Sequence, residues 1–368
     1  MIAVLGCGLF GAAAARHLAK SGHEVTLIGP SEPDDKRSHR GVFGSHYDEG
    51  RITRKNALDP FWVGVSKAAI SRYGEIEAES GISFYTAAGA MMAGRSDYIK
   101  RVDAATDVHG VGCEKLDASH LAERFSYLSF PSDFVARYEA DEAGYVSARN
   151  LVAAQTEAAR RHGAVIVNDT VTGFKERPDH VQIVTQTQTY CADQVLVAAG
   201  AMSDLLLGRA PELDVYQRTV ALFELDETEV GRLAGMPSLV FESAESCYVL
   251  PPIRYPDGKF YLKIGGDPED IPLRGEAEIG NWFRAGGSAQ VRDKLEEIIR
   301  ALIPGLAVRA VSMDACVTTW TKTRLPEISA LSKRVALCGG GNGAGAKCSD
   351  ELGRLGAVKV MELAGETV

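Results

Sequence analysis

No stretch of this 368-residue chain is apolar for the roughly 18 residues that a membrane span requires, so no membrane-embedded segment is expected. Basic residues are not in excess. Lys and Arg number 40 against 49 Asp and Glu, a net charge of −9, which lacks the electrostatic footprint of a nucleic-acid or anionic-membrane binder. Cysteine is sparse: Cys7, Cys113, Cys191, Cys247, Cys316, Cys338 and Cys348 make an odd seven with no C-x-x-C pair. That count argues against a disulfide framework and a sequence-local metal site, and for free thiols in a reducing compartment. A cytoplasmic location is expected, and no metal. The first strand begins at residue 2, so no cleavable leader is expected either. Repeats and low-complexity linkers are also missing. What remains is an ordinary globular composition, 45% hydrophobic and 24% charged, in a chain long enough for two domains.

The richest signal lies at the start. Ile2 to Leu5 is an apolar run that breaks into Gly6-x-Gly8-x-x-Gly11, followed by an alanine-rich helical segment from about Leu9 to Lys20, with Gly22 suited to end it. The first glycine permits a tight turn, the second lets a pyrophosphate approach the backbone, and the third lets helix pack on strand. The helix N-terminus then offers free N–H groups and a positive dipole end to phosphate. A dinucleotide is therefore expected here. The second strand, His23 to Ile28, departs from the usual pattern. Gly29 stands where an acidic residue ordinarily holds a ribose, leaving Ser31 or Glu32 to act from a shifted position. This departure weakens a simple NAD-binding interpretation.

Further along, the pattern predicts an amphipathic helix over Pro60 to Glu79 and short strand-like runs from Ile82 to Arg137. A helix follows over Leu151 to Arg161, then strands at Ala164 to Asn168, Val171 to Phe174 and His180 to Gln186. Gln194 to Ala201 reads as a fully apolar strand that meets a ligand at Gly200. Val215 to Ile264 is β-like, Ser288 to Leu302 helical, and the chain closes with strand, glycine loop Gly339 to Gly345 and a helix from about Cys348 to Leu363. The parallel-sheet signals fall at the start, middle and end. The expected class is α/β, α+β overall: a Rossmann-like dinucleotide domain (1–80, 141–210, 310–368) interrupted by an antiparallel β-rich substrate domain (81–140, 211–309).

Four stretches join the fingerprint in matching order: Gly44-Ser-His-Tyr-Asp-Glu-Gly-Arg-Ile-Thr-Arg54, Asp193 to Leu205, Tyr261-Leu-Lys-Ile-Gly265, and Gly339 to Ser349. Together they resemble the D-amino-acid oxidase superfamily of FAD-dependent oxidoreductases, closest to its monomeric sarcosine oxidase and N-methyltryptophan oxidase branch. The first stretch is similar to that branch's Gly-Ser-His-His-Gly-Asp-Thr-Arg-Ile-Ile-Arg. The resemblance implies FAD-dependent oxidation of a small secondary or N-substituted α-amino acid, sarcosine-like or iminodiacetate-like. Hydride would pass to flavin, the imine would hydrolyse, and oxygen would be reduced to hydrogen peroxide. A flavin dehydrogenase with another acceptor, or an NAD(P)-dependent dehydrogenase, is the alternative. A monomer is implied.

By position, the resemblance puts Arg51 over the flavin ring and gives Arg54 and Lys347 the substrate carboxylate, roles a guanidinium and an ammonium suit chemically. Lys263 interrupts an apolar strand, where a lysine costs stability unless it meets water or a partner; in the family this lysine serves oxygen. Tyr248 matches an active-site tyrosine. Asp267 stands where relatives carry a histidine; pointing inward it would favour a cationic amine, pointing outward it would mean nothing for catalysis. Gly6, Gly8, Gly11, Ser45, His46, Val171, Gly200, Gly343, Gly345 and Lys347 complete the implied FAD site. Cys316 aligns with a cysteine that holds flavin covalently, but a free buried thiol fits it as well.

Overall fold

The computed structural model describes residues 1–210, 212–266 and 268–366. Two large sheets organise it. The first has six strands in the order Glu327–Ala330, Val335–Gly339, Gln194–Val197, Ile2–Leu5, Val25–Ile28, Val165–Val167. All neighbours run parallel except the outermost pair, 327–330 with 335–339. Burial of Ile2–Leu5 and Val25–Ile28 along their whole length explains why these strands are continuously apolar rather than alternating. The helices Leu9–Lys20 and Gly345–Leu363 pack together on this sheet, and Gly353 allows it: a Cβ there would meet Ala13 Cβ at 2.5 Å.

The second sheet has eight strands: Ala310–Trp320, Asp214–Leu225, Phe260–Gly265, Tyr248–Arg254, Ser238–Phe241, Ala90–Arg95, Phe134–Glu139 and Glu114–Leu116. Every pairing is antiparallel except 238–241 with 90–95. The strand Ala310–Trp320, assigned above to the dinucleotide domain, pairs with Asp214–Leu225 throughout and so joins this second sheet. Its largest core cluster gathers Phe223, Leu239, Val249, Leu262 and Ile264. Smaller three-stranded sheets hold Arg51–Thr53 with 144–146 and 85–86, and the hairpins of 171–192.

Helices account for most differences from the sequence pattern. The expected 60–79 helix is two, Pro60–Ile70 and Tyr73–Ser80, because Arg72 leaves helical geometry where its side chain reaches Asp350. Asp59 starts the first of them, accepting from Phe61 N at 2.8 Å, with Pro60 at the first helical position. Helices Ser96–Asp107, Ala118–Arg124 and Gly275–Ala285 occupy segments that had read as short and strand-like or had no assignment.

Between the helices lies an ionic hub. Arg16 is fully buried and donates to Glu79 (2.6 Å), Glu75 (2.9 Å) and Asp350 (3.3 Å). Asp350, equally buried, also accepts from Arg72 and from Gln155 at 2.9 Å, and lies 2.9 Å from His17. This pins three helices by their charges and a fourth, Ala148–Arg161, by the Gln155 amide. Burial raises the Asp350 carboxyl, but its hydrogen bonds and cations win and hold it far below the usual carboxylate range.

Candidate active site

A cavity with ≈ 1410 Å³ of empty space, open to solvent at its mouth, follows the carboxyl ends of the parallel strands. Its walls take in Gly6 to Phe10, Gly29, Gly44 to Tyr47, Arg51, Thr170, Val171, Ala198 to Met202, Cys316 to Thr319, Gly339 to Gly341, Gly343 and Gly345. A Cβ at Gly6 would sit 2.5 Å from Ala198 O, and one at Gly11 only 1.8 Å from Gly6 O, so both positions admit glycine alone. Gly8 faces open space. Two helix N-termini open on the cavity, at Gly8 and at Ala344; neither has a side-chain cap or an acidic residue in its first turn. That donor set, with a guanidinium at the other end, fits a dinucleotide carrying a pyrophosphate and an electron-rich ring.

Gly29 cannot take the usual ribose-binding side chain. A Cβ there would meet Cys7 N at 2.5 Å. Neither Ser31 nor Glu32 lines the cavity. Glu32 is held by Arg149, 2.7 Å away through Nη2, and Ser31 exchanges hydrogen bonds with Asn168. His46 is in the wall, and burial pushes its pKa down to about 4, leaving a neutral imidazole at pH 7.

Arg51 starts a strand and turns its guanidinium to the cavity. It donates to Ser45 O (3.2 Å), Cys316 Sγ (3.3 Å) and Asp48. Cys316 lies on the long strand Ala310–Trp320, whose backbone is fixed there by Trp282 Nε1 donating to Cys316 O at 2.8 Å. Lys263 is on a central strand, flanked in register by Leu222 and Leu250, and is fully buried. Its neighbours Leu262 and Ile264 enter the core, so alternation sends Lys263 to the opposite face. There Nζ donates to Gly50 O at 2.7 Å and to Asp48. It does not line the cavity itself. The Tyr248 ring centroid is 5.8 Å from Nζ.

Arg54 and Lys347 form the second group. Arg54 Nη1 donates to Asn56 O, while Nε is buried without a partner, as are both amide atoms of Asn56. Lys347 is 6% exposed and donates to Ser66 Oγ and, at 3.5 Å, Cys348 Sγ. Among the described residues neither cation has an ion pair. Burial pushes both below their usual pKa, and each cation lies near enough for Arg54 to lower Lys347 further. Glu139, the nearby carboxylate, is occupied by Lys55 N (3.0 Å) and Asn56 N (2.8 Å).

Asp267 lies outside the described residues. Sequence reasoning missed Asp48, Ser66 and Asn56. Ser66 had left a trace, as a polar residue on the buried face of an apolar helix; Asp48 and Asn56 sit in loops and had none.

The model of the family FAD dependent oxidoreductase matches residues 1–357. The chain is similar to monomeric sarcosine oxidase of a Bacillus species, 27% identical over 255 residues. That match covers 67% of this chain and 64% of the relative, so it spans just under two thirds of that protein. It is also similar to N-methyl-L-tryptophan oxidase of Yersinia pestis, 23% identical over 96% of this chain and 93% of the relative. Among solved structures, NikD, an amino acid oxidase of nikkomycin biosynthesis, superposes with a TM-score of 0.78 at 20% identity, covering 100% of this chain and 94% of NikD.

Proposed function

The chain belongs to the FAD-dependent oxidoreductase family, and from that membership we propose that it oxidises a small secondary or N-substituted α-amino acid at its CH–NH bond. Oxygen is the electron acceptor in this proposal, and hydrogen peroxide a product. The observation that carries it is a pair of cations with no ion-pair partner among the described residues: buried Lys347 and half-buried Arg54, whose Nε is sealed from solvent. A buried cation without an anion is costly, and a substrate carboxylate resolves that cost for both. The bound flavin supplies a two-electron acceptor that releases those electrons to oxygen.

The chain's own groups do the positioning. Arg54 offers a fork of N–H donors and Lys347 a point charge, which together would hold the carboxylate end of the amino acid in one orientation. The Ser66 hydroxyl keeps the Lys347 ammonium aimed while the site is empty. Arg51, the glycine loop and the start of the closing helix present positive potential where the ring gathers negative charge. The division into a cofactor part and a β-rich substrate part belongs to the same proposal, as do a monomer and a cytoplasmic location; among the described residues no helix is long and apolar enough to cross a membrane.

The test is a peroxide-release screen of the holoenzyme with sarcosine, N-methyl amino acids, iminodiacetate-like diacids, proline analogues and glycine. Turnover of N-substituted amino acids, with none for the matching amines lacking a carboxylate, is the expected result; equal turnover of both sets removes the clamp. Acid precipitation of the same sample decides the state of Cys316. A yellow pellet makes it the covalent anchor, and a yellow supernatant leaves it a free thiol.

A further inference from the structure

One carboxylate of the site has no part in the function so far described. Asp48 accepts hydrogen bonds from Lys263 Nζ and Arg51 Nη1, and its other oxygen accepts from Tyr255 OH at 3.1 Å. Its side chain is only 12% exposed. In the segment from Gly44 to Arg54, Asp48 stands where the similar family stretch has a glycine, so this carboxylate is an addition of this chain.

The charges around Lys263 can be followed element by element. From its own sheet, Tyr248 presents a ring and Ala310–Trp320 presents Asp314 and Cys316. From the loops come Asp48, Tyr255 and Lys36, and from the start of the strand Arg51–Thr53 comes Arg51. Lys36 and Asp314 bind each other at 2.5 Å. That leaves Asp48, among the described residues around Lys263, as the carboxylate in contact with both Arg51 and Lys263. A guanidinium keeps its proton in any protein setting, whereas a buried ammonium gives its proton up. Lys263 is therefore the group whose state depends on Asp48.

We propose that Asp48 is a positioning residue for the oxygen half of the reaction: by holding Lys263, Arg51 and Tyr255 at once, its carboxylate fixes the lysine Nζ as an ammonium on the same oxygen as the guanidinium that lines the flavin cavity. The inference rests on the proposed oxidase activity and on Lys263 as the group that serves oxygen. Burial, and next the Arg51 charge, push the Lys263 pKa well down; the Asp48 carboxylate opposes both. Without it the amine loses the carboxylate that holds its proton, and a neutral amine offers far less to charge gathering on dioxygen.

The experiment uses Asp48→Asn, Asp48→Glu, Lys263→Met and the double variant Asp48→Asn/Lys263→Met, all as holoenzyme. Reoxidation of the substrate-reduced enzyme by oxygen is followed by stopped flow between pH 6 and 10. The wild type is expected to give a flat profile to pH 9. Asp48→Asn is expected to reoxidise at least tenfold more slowly at pH 8 and to recover as the pH falls, because acid returns the proton to Lys263. Asp48→Glu keeps the flat profile. With Lys263→Met in place, Asp48→Asn has no further effect. A readout independent of turnover is the ¹H–¹⁵N ammonium signal of ¹⁵N-lysine protein that vanishes in Lys263→Met: present at pH 8 in the wild type and absent in Asp48→Asn.

The proposal is overturned if Asp48→Asn keeps the wild-type rate and profile, if its loss is equally large in the Lys263→Met background, or if the ammonium signal persists in it. Should Asp48→Asn fail to fold, Asp48→Glu decides alone, and a pH-dependent loss in that variant refutes the role. A Lys263→Met enzyme that reoxidises like the wild type sinks the underlying assignment of Lys263 instead, a separate outcome.

Discussion

Two sets of buried cations in this molecule are treated in opposite ways. In the helical hub, Arg16 meets three carboxylates, and Asp350 is shared among Arg16, His17 and Arg72. At the site, Arg51 and Lys263 share Asp48, while Arg54 and Lys347 meet none among the described residues. Both arrangements remove charge from water; carboxylates compensate it in the hub and at the Arg51–Lys263 pair, and none does so at Arg54 and Lys347. Saturated charge fixes helices to one another; unsaturated charge is a vacancy shaped for an anion. The difference shows where the chain accepts instability for the sake of binding.

The strongest challenge to this contrast is Asp350→Ala. It strips a shared carboxylate from Arg16, Arg72, His17 and Gln155, and breaking such a buried network should cost about 3–5 kcal/mol. Urea unfolding of the variant reads this loss; a change below about 1 kcal/mol would mean that the hub is no more than a crowded surface.

At the site the same kind of truncation should act on ligand rather than fold. Arg54→Ala and Lys347→Ala are each expected to weaken binding of a carboxylate inhibitor, and raise KM, by about 2–3 kcal/mol, or roughly 30- to 150-fold. Inhibitor titrations that match the wild type in both variants would leave the two cations without a function.

The smallest effect sharpens the comparison most. Lys347→Met should gain about 1 kcal/mol of stability near pH 7, since a buried ammonium is replaced by an apolar chain of similar size. The sign follows from the lowered pKa of Lys347. Below the unfolded lysine value of about 10.4 the unfolded state holds the proton more tightly, so the wild type becomes more stable as pH rises toward that value. Lys347→Met lacks this rise. Melting temperatures across pH 7 to 10 check it, and parallel curves for the two proteins would contradict it.

Parts of this picture are visible in the primary structure. The strand, glycine turn and helix of residues 2–20 announce themselves because strand burial and close packing each demand a residue type at a fixed spacing. Lys263 and Lys347 stand out as charges beside apolar or glycine-rich runs, whereas Arg51 and Arg54 stand out only through the family resemblance; the fold brings Lys263 from position 263 to Asp48 and Gly50. The helices 96–107 and 275–285 were hidden by short polar periods. The sheet that strand 310–320 joins was not legible, because its partner Asp214–Leu225 lies far back in the chain. Asp48 gave no signal: one acidic residue in a polar loop looks like solvated surface until a buried lysine is found against it.

The glycine-rich cradle has a consequence for biosynthesis. Its walls come from residues 5–10 and again from 339–346, and the strand Gln194–Val197 bridges Ile2–Leu5 to Val335–Gly339. A ribosome must therefore deliver residues 335–346 before the two halves of the nest can meet. A nascent chain stalled short of residue 335 has nowhere to keep its vitamin.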